Sequence, residues 1–164
     1  LNKITCSATK TIFEEIIFNN ELNEKKTLFG GRTLEILDKN AGLAAYKLVN
    51  IPIATAGYDN LYFLKPMKVG QSLKAFSFVT GTKGRSIEVF TKFITEDLQT
   101  KEKELAFTSF CTLVTLPGDS DFELPEVIAE TEEEKALMAG FEQRYLSRKE
   151  ERSKLPEFLK NIDI

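Results

Sequence analysis

Two features with chemical potential lie close together in this chain: the glycine pair Gly30-Gly31 and the carboxylate Asp38. Asp38 falls within the run from Arg32 to Leu48, where Leu34, Leu37, Ala41, Ala44, Ala45 and Leu48 recur at helical spacing. At about 100° per residue the acid lies beside Leu34, Ala41 and Ala45, at the edge of that apolar stripe. A carboxylate there must reach water, find partners or do chemistry, because an unpaired buried charge is costly. Glycines just ahead of a helix allow close approach to its exposed N–H groups, where the helix dipole favours negative charge. On residue type and spacing alone, a solvated edge carboxylate after a structural turn is the simpler reading.

Absences narrow the chemistry. The chain contains no histidine, which removes Ser-His-Asp and Cys-His catalysis and most transition-metal sites. Its two cysteines, Cys6 and Cys111, make neither a disulfide framework nor a zinc site. Both fall in strand-like runs and read as small core residues. No metal or cofactor is called for. Carboxylates, backbone dipoles and side-chain amides remain.

At 164 residues the chain fits one domain with a substantial core. A hydrophobic share of 42% with 29% charged residues is an ordinary globular balance, and the net charge of −3 gives no reason to expect a nucleic-acid partner. No apolar stretch is long enough to span a membrane. The N-terminus has neither the apolar core of a signal peptide nor an initiator Met, so the expectation is a cytoplasmic protein lacking a few residues here.

The elements that must position these groups follow from periodicity. Residues 4–18 read as a first strand and 19–27 as a polar loop. A helix over 32–48 follows, with Asn50 and Pro52 as its stop. Strands are expected at Ile53–Leu64, Ser72–Thr80, Arg85–Glu96 and Glu104–Leu116, in antiparallel succession, with Gly81-Thr82-Lys83-Gly84 as a hairpin turn. Pro117-Gly118-Asp119-Ser120 ends the sheet and a linker runs to Glu130. Thr131-Glu132-Glu133-Glu134 is a capping box for one last helix, with Leu137, Phe141 and Tyr145 on its apolar edge. A long helix gripped by a curved antiparallel sheet is an α+β layout.

The ordered set Asn23-x-x-x-Thr27-Leu28-Phe29-Gly30-Gly31, Leu37-Asp38, Ala41-Gly42 and Ala45 resembles the signature of the hotdog-fold acyl-CoA thioesterases. The nearest subgroup is the bacterial cytoplasmic acyl-CoA hydrolases related to the brain-type cytosolic enzymes. Thr55-Ala56-Gly57-Tyr58-Asp59, Phe63-Leu64-Lys65-Pro66, Val69-Gly70, Ser86-Ile87-Glu88-Val89, Glu96-Asp97 and Ala106-Phe107-Thr108 extend the similarity over roughly residues 6–116. The chain departs from the family pattern by Lys26 at a usual glycine, by a hairpin reading Lys83-Gly84-Arg85-Ser86, and by Tyr62 at a usual acid.

The resemblance implies a hotdog domain over 1–118 and a linker with a helical extension over 119–164. It also implies a double-hotdog dimer, commonly a trimer of dimers, with active sites between paired protomers. An Asp on the central helix and an Asn in the preceding loop come from different protomers; Asp38 and Asn23 match them. The implied reaction is hydrolysis of acyl-CoA to a carboxylic acid and CoA. Asp38 would be general base or nucleophile, Asn23 would orient water or substrate, and the Gly31 N–H would polarise the carbonyl. Gly30 and Thr55 would face substrate, and Lys83, Arg85 and Ser86 would meet the CoA phosphates. A non-catalytic acyl-CoA-binding regulatory domain is the alternative, and the presence of both Asp38 and Asn23 favours the enzyme. Hydratase relatives typically use a histidine, which this chain lacks.

Overall fold

The computed structural model describes residues 2–116 and 122–164. The expected first strand is two strands, β1 (Lys3–Thr5) and β2 (Thr11–Ile16), separated by a single helical turn, α1 (Cys6–Thr9). Thr5 caps that turn by accepting from the Ala8 N–H at 3.2 Å. Thr9 ends it, donating to the Cys6 carbonyl at 2.8 Å and accepting from Val79 N–H at 2.9 Å. Cys6 is therefore buried in a helical turn and not in a strand.

The main helix α2 (Gly30–Leu48) begins at the glycine pair itself. It is followed by β3 (Ile53–Phe63), β4 (Gln71–Lys83), β5 (Ser86–Asp97) and β6 (Lys103–Thr115). The five-stranded sheet has the order β2-β4-β5-β6-β3, and every pairing in it is antiparallel. β3 does not pair with β4, as simple succession predicts. The link after β3 is too long for a tight hairpin. Its first residues, Leu64 and Lys65, donate N–H groups to the Ala106 carbonyl at 2.8 and 3.2 Å, which holds β3 on β6. β3 is thus an edge strand.

β4 also runs farther than expected. Gly81 lies inside it, at a register shift, because a Cβ there would collide with the Phe141 ring. The turn is made at Gly84, whose φ of +58° suits glycine. After the sheet, β7 (Glu126–Ile128) pairs in parallel with β1 inside the expected linker. The capping box at Thr131 and Glu134 opens α3 (Glu132–Ala139) as the sequence indicates. The chain breaks at Gly140 and continues as α4 (Phe141–Leu159), so the single terminal helix is two. The expected sheet terminator, Pro117 to Ser120, and the proposed domain boundary lie outside the described residues.

The face that α2 buries comprises Thr33, Ile36, Leu37, Asn40, Ala41, Ala44, Ala45 and Leu48. Leu34, part of the expected stripe, is exposed instead. A buried polar contact fixes this rotation. The Asn40 side-chain amide donates to Ser77 Oγ at 2.8 Å and to the Ala75 carbonyl at 3.3 Å, and Ser77 meets Thr91 at 2.7 Å. Asp38 stands about 200° around the helix from Asn40 and so faces away from β4.

Candidate active site

Asp38 sits on the exposed side of α2. Its Oδ1 accepts from Thr55 Oγ1 at 2.8 Å and from the Tyr58 hydroxyl, both on the edge strand β3. Asp38 Oδ2 accepts from no donor among the described residues. One oxygen is therefore held while the other is open. Burial and the hydrogen bond to the Asp38 carboxylate push the Tyr58 phenol above its ordinary range, so it stays protonated and donates.

Tyr58 is the site residue that sequence reading missed, and strand geometry explains why. Residues three apart on a regular strand point to opposite faces. A register shift between Thr55 and Gly57 adds the half-step that brings both hydroxyls to Asp38.

The glycine pair stands at the other end of this arrangement. Phe29 is the N-cap of α2 but gives no side-chain cap. Arg32 and Thr33 donate their N–H groups to the Phe29 carbonyl at 2.9 and 3.1 Å. The N–H groups of Gly30 and Gly31 meet no acceptor among the described residues, as expected for a first helical turn. The Phe29 ring lies against Gly31, where an added Cβ would run into it. Arg32, a cation at the unfavourable end of the helix dipole, is compensated by Glu15 at 2.8 Å, Glu21 at 3.1 Å and Glu35 at 3.1 Å.

Asn23 closes the preceding loop on itself. Its Oδ1 accepts from Lys25 N–H at 2.9 Å and Thr27 N–H at 3.2 Å, and its Nδ2 donates to Thr27 Oγ1 at 3.0 Å. The turn requires a left-handed residue, and Lys26 supplies it with φ +62°, at the position where the family pattern has glycine. Asn23, Thr27 and Gly30 line a cleft of about 300 Å³, whose far wall is Phe63 to Met67. A larger cavity of about 610 Å³ lies near the β4–β5 hairpin and contains none of Asn23, Asp38 or Thr55.

Within the chain these groups fall into two clusters. Gly31 precedes Asp38 by seven residues, roughly 10 Å along the helix axis. Asn23 belongs with the glycines, whereas Thr55 and Tyr58 belong with the acid.

The expected phosphate ligands are engaged inside the chain. Lys83 pairs with Glu142 and lies 5.0 Å from the centre of the Tyr145 ring. Arg85 directs Nε (3.0 Å) and Nη2 to the Thr115 carbonyl. Ser86 pairs with Lys83 and Val114 at the hairpin end of the sheet. Burial pushes both cysteine thiols up to about 12, with Glu134 adding to the effect at Cys6 and Asp38 at Cys111. Neither is a nucleophile at neutral pH. No cluster of metal-ligating side chains and no helix long and apolar enough to cross a membrane occurs among the described residues.

Comparison with known proteins gives a consistent picture. The Thioesterase superfamily profile matches residues 25–102. The uncharacterized acyl-CoA thioester hydrolase YkhA of Bacillus subtilis is 37% identical over 88% of this chain and 84% of its own. The acyl-CoA hydrolase of Bacillus cereus superposes with a TM-score of 0.92 at 30% identity, covering 100% of both chains. A hexameric acyl-CoA thioesterase gives 0.86 at 31% identity, over 93% of this chain and 98% of its own. A Staphylococcus aureus acyl-CoA hydrolase, solved with butyryl coenzyme A, coenzyme A and coenzyme A disulfide, gives 0.88 at 27% identity over 96% and 97%. That enzyme has also been solved with alanine in place of an Asp, a Thr and an Asn. With its hotdog architecture, this chain belongs to the thioesterase superfamily.

Proposed function

We propose that this protein hydrolyses the thioester of acyl-CoA to a carboxylic acid and CoA. The observation that carries the reading is the Asp38 carboxylate, held through Oδ1 by Thr55 and Tyr58 beside the edge strand β3, with Oδ2 taken by no donor among the described residues. As general base, Oδ2 takes a proton from water as the water oxygen bonds to the thioester carbon, and returns it to sulfur as the C–S bond breaks. As nucleophile, it bonds to that carbon, the C–S bond breaks, and water then cleaves the mixed anhydride to release the acid and restore the carboxylate. The oxyanion is received by the Gly31 N–H, beside Gly30, and CoA leaves as the thiol once protonated. Asn23 shapes this half-site and orients the water or the carbonyl. The intervals from Asn23 to Asp38 and from Asp38 to Thr55 equal those between the Asn, Asp and Thr replaced in the Staphylococcus aureus hydrolase.

The roughly 10 Å between Gly31 and Asp38 favours a site assembled from two protomers, with the acid of one facing the glycines and Asn23 of its partner. Exposed Tyr58, Tyr62 and Phe63 on β3, with Leu34, Leu43 and Tyr46 on α2, offer an apolar surface for that pairing. A trimer of such dimers accounts for a hexamer. Lys83, Arg85 and Ser86 remain the candidates for the CoA phosphates, with Lys83 exchanging Glu142 for phosphate. Cytoplasmic acyl-CoA is the substrate pool this reading implies.

A thiol reagent tests the function by following CoA release from a series of acyl-CoAs. Wild-type protein should release CoA, and Asp38→Ala should lose at least about a hundredfold in turnover. Asn23→Ala should be impaired while the oligomer stays intact. Binding of acyl-CoA without release would favour the regulatory alternative.

A further inference from the structure

We infer that Tyr58 is a positioning residue for the Asp38 carboxylate, aimed by an ion-pair anchor beneath α4. This rests on the role proposed for Asp38. Tyr58 occupies a short piece of β3 bounded by two register shifts, one between Thr55 and Gly57 and one between Asp59 and Tyr62. Such a segment lacks the continuous ladder that would fix its side chains, and bulges serve to re-aim a residue. Asn60, in the second shift, adopts a left-handed φ of +48°.

The next residue, Asp59, fastens the segment from the opposite face. Its Oδ2 accepts from Arg148 Nη1 of α4 at 3.0 Å. The same Arg148 nitrogen lies 2.8 Å from Glu88, which is 1% exposed and also accepts from Arg144 and Thr80. A guanidinium shared between β3 and β5 thus fixes the strand where its own pairing is interrupted. With Asp59 held, Tyr58 points to the α2 side and donates to Asp38. Thr55 and Tyr58 both occupy Oδ1, so their joint effect is to turn Oδ2 outward as the reacting oxygen. The terminal helix α4 is in this way connected to the orientation of the acid, although it contributes no group to the half-sites themselves.

The test compares Tyr58→Phe, Asp38→Ala and the double variant for kcat and KM with a short acyl-CoA, together with thermal stability and oligomeric state. Tyr58→Phe should lower kcat roughly tenfold, the scale of one hydrogen bond to a charged group, with KM and Tm little changed. In the Asp38→Ala background the same substitution should leave the residual rate unaltered. Wild-type kcat in Tyr58→Phe, a rise in KM alone, or an equal loss in both backgrounds would each overturn the positioning role. Full activity in Asp38→Ala would instead reject the function of Asp38 on which the inference depends.

Discussion

The Thr55 hydroxyl lies 2.8 Å from Oδ1 of Asp38, so this edge-strand side chain is committed to the acid. Replacing Thr55 by Val removes that donor with little change in shape. The expected result is a fall in kcat of about ten- to a hundredfold, because hydrogen bonds to charged groups are worth about 1.5–3 kcal/mol. Thr55→Ser should retain most of the activity. Steady-state kinetics of the two variants check this.

Gly31 lies under the Phe29 ring, so a methyl group there must displace the ring from the start of α2. Alanine is the better helix former by up to about 1 kcal/mol, so Gly31→Ala should fold at least as well as wild type. Its kcat should nevertheless fall by about tenfold or more, as the surroundings of the oxyanion donors change. A thermal melt beside a kinetic assay separates the two effects.

Glu88 is buried between Arg144 and Arg148, with Thr80 as a further donor. Glu88→Ala leaves two guanidiniums without their shared carboxylate, and breaking a buried pair from one side costs about 3 kcal/mol or more. Urea unfolding should show a free energy of unfolding lower by that amount, seen as a lower midpoint at unchanged slope. Arg144 also lies 3.9 Å from the centre of the Phe110 ring, so removing it costs packing in addition to charge.

Asp97 in the β5–β6 turn accepts from the N–H groups of Gln99 and Thr100 at 2.9 and 2.8 Å. The Thr100 and Gln99 amides hold its carboxyl below the usual aspartate value of 3.8. A depressed folded-state value means the contribution is present above 3.8 and lost as pH falls through the folded value. The stability difference between wild type and Asp97→Asn should therefore shrink on titration from about pH 6 to about pH 2. A constant difference would contradict the linkage.

The part of this architecture carried by local pattern is visible in the sequence. The helix, the four long strands, the capping box at Thr131 and the acid at the edge of α2 all follow from spacing and side-chain type. The rotation of α2 does not, because Asn40 is buried by partners on β4 that only the fold supplies, and Leu34 is exposed as a result. The place of β3 beside β6 depends on a long connection, not on a turn motif. Tyr58 is hidden from an alternation argument by the bulge that turns it toward Asp38. The Glu88–Arg144 pair joins residues 56 apart in sequence, which no local period records. Asn23 was legible as a candidate only through the family resemblance, which also carried the expectation that it and Asp38 come from different protomers.

The central claim is that each active site joins Asp38 of one protomer to the Asn23 loop of another. Asp38→Ala and Asn23→Ala, each nearly inactive alone, should complement when co-expressed or refolded together. Only one of the two sites in a mixed dimer then carries both native residues, so the equimolar mixture should recover roughly a quarter of wild-type activity. Mixed oligomers whose activity stays at the average of the two separate variants would contradict it.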